Sequence, residues 1–167
     1  MQKNKALVFL DFDGVLNDAS RSYVGNINRD AVARLNRLVT KGDADVVVSS
    51  SWRLTYPLDV LRGMLKSNGF TGRVIDVTPK DLEFLIDGES TTRGHEILAW
   101  LETAGLIQRD GSVTTCLCPV VILDDAEPMG PLDHFLIRTH PCDGLTNENV
   151  DGALRQLSRP TFVVAVK

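Results

Sequence analysis

The sequence predicts an α/β protein whose mainly parallel sheet is doubly wound by flanking helices. Three observations carry that expectation. Apolar, β-favouring runs alternate with stretches of helical periodicity along the chain. Two of the runs stop abruptly in acidic residues, as buried strands do when they reach a polar sheet edge. No repeat, low-complexity tract or linker interrupts the alternation, and β-α-β units with right-handed crossovers build one such sheet.

The first run spans residues 7–10, LVFL, and ends in Asp11-Phe12-Asp13-Gly14. Side chains alternate along an extended chain, so Asp11 and Asp13 are expected on one side while Phe12 turns back to the core. Gly14 lets the backbone turn sharply and approach a ligand. Residues 28–40 place Ala31, Leu35, Leu38 and Val39 at helical spacing, with Asn28 as N-cap and Gly42 as terminator. A second strand, residues 45–48, runs into Ser49, Ser50 and Ser51. Residues 57–68 read as a helix with Pro57 in its first turn and Gly69 beyond its end. Residues 73–77 form a third strand. A loop through Pro79 and Gly88 then leads to a helix over 93–103, with Thr92 as N-cap. The second acidic strand, residues 120–123, stops at Asp124 and Asp125. A short strand at 134–138, a helix at 147–157 and a last strand at 161–166 complete the chain. That last strand is a candidate sheet edge, which leaves dimerisation open.

Size and composition fit one domain covering residues 1–167. The chain is 43% hydrophobic and 24% charged, the profile of an ordinary globular protein with room for a substantial core. Its net charge of −4 makes no demand for a nucleic-acid partner, and no apolar stretch is long enough to span a membrane. The N-terminal residues run straight into the first strand without a signal-peptide pattern, so a cytoplasmic location is expected. Cys116, Cys118 and Cys142 fit neither a disulfide framework nor a zinc pattern and read as reduced thiols.

Aspartate and glycine are common turn residues, so one D-x-D-G segment is compatible with a plain turn. Two acidic strand ends in one small sheet point further. In open parallel sheets ligands bind beyond the carboxyl ends of the strands. Carboxylates gathered there repel one another and lose hydration, and a divalent cation relieves both costs.

Four segments, in order, resemble the haloacid dehalogenase-like (HAD) superfamily of aspartate-nucleophile phosphatases. They are Asp11-Phe12-Asp13-Gly14-Val15, Val46-Val47-Val48-Ser49, Arg93 at a helix start, and Val121-Ile122-Leu123-Asp124-Asp125. Lys80 is the rival to Arg93 for the third. The stretches SSSWR, TTRGHEILAWL and ILDDAEPMGPL are also similar to a small HAD subfamily found beside RNA-repair enzymes and in stand-alone bacterial and phage proteins. The resemblance implies a Rossmann-like, HAD-like fold.

It also implies a division of labour. Asp11 would be the nucleophile, and Asp13 the acid that protonates the leaving oxygen and then activates water. Mg²⁺ would be held by Asp11, the main-chain carbonyl of Asp13, Asp124 and, directly or through water, Asp125. Ser49 would donate its hydroxyl to a phosphoryl oxygen, and Arg93 would supply fixed positive charge. Trp52 and Arg53, next to the serines, are candidates for substrate contact or for packing. His95, on the Arg93 helix, reads as a packing or surface residue, and His134 and His140 receive no role.

Many HAD enzymes carry a cap domain after the first or second motif. Neither interval is long enough here, so no separate cap domain is expected. An open site admits a phosphate on a large molecule, such as a nucleic-acid end or a phosphoprotein, or on a nucleotide. The loop over residues 78–92 is the candidate flap. The expected activity is therefore Mg²⁺-dependent phosphomonoester hydrolysis. A HAD-type phosphotransferase and a non-catalytic binding module are the alternatives; Asp13 argues against dehalogenation, which needs no proton for an alkoxide.

Overall fold

The structure is a computed structural model describing residues 5–21, 26–79, 92–110, 113–126, 128–159 and 163–165. In chain order it contains β1 (Ala6–Leu10), α1 (Arg29–Gly42), β2 (Ala44–Val48), α2 (Leu58–Ser67), β3 (Val74–Val77) and α3 (Arg93–Thr103). These are followed by β4 (Ile107–Asp110), β5 (Val113–Cys116), β6 (Val120–Asp124), β7 (Leu136–Arg138), α4 (Asn147–Leu157) and β8 (Val163–Ala165). Short 3₁₀ turns cover Ser51–Leu54 and Gly130–Phe135.

Five strands form one parallel sheet in the order β3-β2-β1-β6-β7. The chain order reverses between β1 and β6, which puts the switch-point crevice above those two strands. Alternating side chains explain why the central strands are apolar throughout. Val8, Leu10, Val46, Val48, Val121 and Leu123 enter one core with residues of α1, α2 and α4. Leu7, Phe9, Val47, Val120 and Ile122 enter a second core with Ile97 and Leu101 of α3, Leu132 and Phe135. All of these residues are buried. With both faces covered, the polar carboxyl-terminal edge is where chemistry has room.

The doubly wound α/β architecture is as expected from sequence, and the described residues contain no separate cap domain. Several details differ. The α1 helix runs on through Gly42, and Asp43 takes the left-handed turn at φ 45° instead. The 134–138 segment is strand only from Leu136; Gly130–Phe135 coils because Pro131 favours a helical first turn. The last strand does not extend the main sheet. It pairs antiparallel with β5, which pairs antiparallel with β4, in a separate three-stranded sheet. The β4 and β5 strands were not anticipated: Ile107-Gln-Arg-Asp is mostly exposed and lacks an apolar run. Lys80 and all but residues 78, 79 and 92 of the candidate flap lie outside the described residues.

Candidate active site

The parallel ladder continues for one residue past each strand. The Asp11 N–H donates to the Leu123 carbonyl (3.0 Å), Ser49 to Leu10 (3.0 Å), Thr78 to Val48 (2.9 Å) and Thr139 to Asp124 (3.0 Å). Backbone pairing therefore fixes the polar residues that cap the sheet before any side chain is considered.

Asp11, Asp124 and Asp125 each offer a carboxylate oxygen, and these oxygens lie within 4.8 Å of one another. Asp11 and Asp124 are buried, and Asp125 is half-buried. The Arg93 guanidinium bridges two of them, with Nη1 2.5 Å from Asp11 Oδ2 and 2.7 Å from Asp124 Oδ2. Burial, reinforced by the neighbouring Asp11 charge, pushes the Asp124 carboxyl up to about 6 although Arg93 opposes the shift. Asp125 is raised by the same two causes. Burial works against the Arg93 charge, but Asp11 and Asp124 more than offset it. Three carboxylates against one guanidinium leave an excess of negative charge in oxygen-only surroundings, a donor set that fits a hard divalent cation.

Gly14 has φ 70°, and a Cβ there would overlap the Asp125 carboxylate. The turn after the first aspartates thus needs glycine both for its left-handed backbone and for the space Asp125 fills. The side chain of Phe12, between the two aspartates, is completely buried in the core.

The Asp13 carboxylate does not join the cluster. Its Oδ1 accepts from Asn17 Nδ2 (2.8 Å) and its Oδ2 from the Trp52 indole N–H (2.9 Å). Ser49 is completely buried, and its hydroxyl has no hydrogen-bond partner among the described residues. The same holds for Thr78, which directly follows β3 and was expected only as the start of the candidate flap.

Arg93 stands at the start of α3, where the helix dipole disfavours a cation. The structure supplies the reason: the anions it meets are Asp11 and Asp124. A Cβ at Gly94 would overlap the Met129 carbonyl, so glycine lets this helix end approach the loop after β6. His95 helps cap the same helix, its Nδ1 accepting the Thr92 N–H at 3.1 Å.

Arg53 packs the strand ends together and also lines the pocket beside Arg93. It is buried and donates to the carbonyls of Ser49 (2.9 Å), Ser50 (2.9 Å), Thr78 (3.1 Å) and Pro79 (3.3 Å). Its Nη2 also lies 2.5 Å from Glu96 Oε2 on α3. One guanidinium thereby ties the ends of β2 and β3 to the helix that carries Arg93. Adjacency to the serines was the only sequence signal for it. Cys116 and Cys118 are buried free thiols and Cys142 an exposed one.

This is a doubly wound α/β fold whose carboxylate cluster lies at the switch point, where open sheets of this class bind ligands. The particular family follows from sequence comparison. The profile for the HAD domain in Swiss Army Knife RNA repair proteins matches residues 7–150, and the chain belongs to that family. Comparison with curated proteins and with solved structures gives no match. No helix among the described residues is long and apolar enough to cross a membrane.

Proposed function

We propose that this protein is a Mg²⁺-dependent phosphomonoesterase working through an aspartyl phosphate on Asp11. The observation that carries the reading is the Asp11–Asp124–Asp125 cluster beyond β1 and β6, bridged by Arg93. Asp11, Asp124, Asp125 and the Asp13 main-chain carbonyl would hold the cation, which when bound offsets the repulsion between an anionic nucleophile and an anionic phosphate.

An Asp11 carboxylate oxygen attacks phosphorus. The bond from phosphorus to the leaving oxygen breaks with its electron pair, and that oxygen takes a proton from Asp13. A water then attacks the phosphorus of the acyl phosphate and gives a proton to Asp13. The bond from phosphorus to Asp11 breaks, releasing inorganic phosphate and the free carboxylate. Phe12 in the core anchors the short segment bearing both aspartates. The unpartnered Ser49 hydroxyl donates to a phosphoryl oxygen, and Arg93 balances charge on the nucleophile's side.

The reading extends to one domain over residues 1–167 acting in the cytoplasm, and to a phosphate carried by a large molecule, a nucleic-acid end or a nucleotide. The absence of a cap among the described residues supports a large substrate. Hydrolysis of p-nitrophenyl phosphate with Mg²⁺, with EDTA, and by Asp11→Asn tests the core of it. The expected result is turnover lost with EDTA and reduced at least about a thousandfold in the variant. Metal-independent turnover, or an active Asp11→Asn protein, overturns it.

A further inference from the structure

We infer that Trp52 and Asn17 are positioning residues for the acid–base Asp13, an inference that rests on the phosphatase reading. The carboxylate of Asp13 is gripped from two sides. Asn17 Nδ2 donates to Oδ1 at 2.8 Å and Trp52 Nε1 donates to Oδ2 at 2.9 Å. Neither donor is a casual neighbour. Asn17 is buried, and its own Oδ1 accepts the Gly14 N–H at 3.0 Å, so its amide is oriented by the turn that follows Asp13.

Trp52 comes from a different part of the chain and is also buried. Its ring meets Phe12 edge-on at 5.0 Å between centroids and Tyr56 at 6.4 Å, and that packing sets the direction in which its N–H donates. Phe12 lies between Asp11 and Asp13, so the ring that orients Trp52 belongs to the nucleophile segment itself. Ser50 caps the 3₁₀ turn holding Trp52, accepting its main-chain N–H at 3.3 Å. The serine-rich end of β2 thus serves two purposes: Ser49 presents a hydroxyl, and Ser50 sets the turn that aims the indole.

A proton shuttle needs its oxygen at the leaving group, and an untethered Asp side chain at this half-buried position would sample several rotamers. Two donors on two oxygens hold one rotamer. Proton donation matters most when the leaving oxygen is basic, as in an alkyl phosphate, and least for p-nitrophenolate, which departs without much help. Loss of positioning therefore has a signature that general loss of packing lacks.

The experiment compares p-nitrophenyl phosphate with an alkyl phosphate, using wild type, Asp13→Asn, Trp52→Phe and Asn17→Ala. Trp52→Phe keeps an aromatic ring against Phe12 but has no N–H. Asn17→Ala removes the donor to Asp13 without placing a second carboxylate beside it. Each is expected to lower kcat/KM, which reports the step in which the leaving oxygen departs, about tenfold more on the alkyl ester than on the aryl ester, a partial version of the Asp13→Asn effect. Equal loss on both esters, with Asp13→Asn still discriminating, overturns the inference and spares the phosphatase reading. A wild type that hydrolyses neither ester takes both down.

A second readout needs no turnover. The chain has two tryptophans, and the indole of Trp100 donates elsewhere, to Asp76 at 2.8 Å. In Asp13→Ala the Trp52 indole N–H resonance should move upfield while that of Trp100 stays. A Trp52 resonance indifferent to Asp13 overturns the contact on which the inference stands.

Discussion

Two buried aspartates stand at opposite edges of the same parallel sheet, one at the start of β2 and one at the end of β6, and live under opposite electrostatic regimes. Asp45, near the start of β2, is buried beside two cations: Lys5 Nζ lies 2.9 Å from its Oδ1, and Arg73 donates to both of its oxygens. Asp124, at the end of β6, is buried beside Asp11 and Asp125 with Arg93 as the cation that bridges it to Asp11. Burial pushes the Asp45 carboxyl up, but the hydrogen bonds from Arg73 and Lys5 outweigh it and hold the group below its ordinary value. At Asp124 burial and Asp11 win. The first site is balanced and belongs to folding. The second carries unspent negative charge, and folding alone gives no reason to collect it.

The comparison breaks most cleanly in stability. Neutralising an acid should have opposite signs at the two ends. Asp45→Asn is expected to lower the melting temperature by a few degrees, because Lys5 and Arg73 lose their counter-charge. Asp124→Asn is expected to raise the melting temperature of the metal-free protein while abolishing the stabilisation that added Mg²⁺ gives to wild type. Thermal unfolding with Mg²⁺ and with EDTA reads all four cases. Two changes of the same sign would dissolve the distinction.

A smaller effect concerns pH. The Asp124 carboxyl, at about 6, lies above its unfolded value of 3.8, so its charge weakens the metal-free fold above pH 6 and ceases to do so in acid. Asp45 has the reverse sign: its contribution is present near neutrality and fades as pH falls through its depressed value. A cation binding the cluster must displace the Asp124 proton. Mg²⁺ affinity measured by calorimetry should therefore fall about tenfold between pH 7.5 and pH 5. A flat profile would mean that Asp124 does not bind the ion.

The smallest change sharpens the geometry. Gly14→Ala puts a methyl group where the Asp125 carboxylate sits and strains a backbone at φ 70°. A loss of about 1–3 kcal/mol in stability is expected, with weaker Mg²⁺ binding, while the Asp45 end is untouched. Unchanged Mg²⁺ affinity would remove Asp125 from the ligand set.

What could be read in advance was what lies in short stretches. Asp11, Asp13, Ser49, Asp124 and Asp125 each follow an apolar run, and such runs dictate both burial and where the strand must end. The five parallel strands were legible for the same reason. The second sheet was not, because β4 pairs through its backbone while its side chains remain largely exposed. Nor was the grip of Trp52 on Asp13: the two are 39 residues apart, and an indole that packs leaves no periodic trace of where its N–H points. Arg93 was legible as a cation near the site but not as a bridge between two carboxylates, which depends on the approach that Gly94 permits.

The Arg53 guanidinium has a consequence for how this family can change over time. It joins two strand ends to α3 in one buried fixture, and its charge is met there by Glu96. Replacing either partner alone strands a buried charge and releases the helix that holds Arg93. Lineages that abandon this joint are therefore expected to abandon both halves together, leaving positions 53 and 96 to drift as a correlated pair in the family's descent.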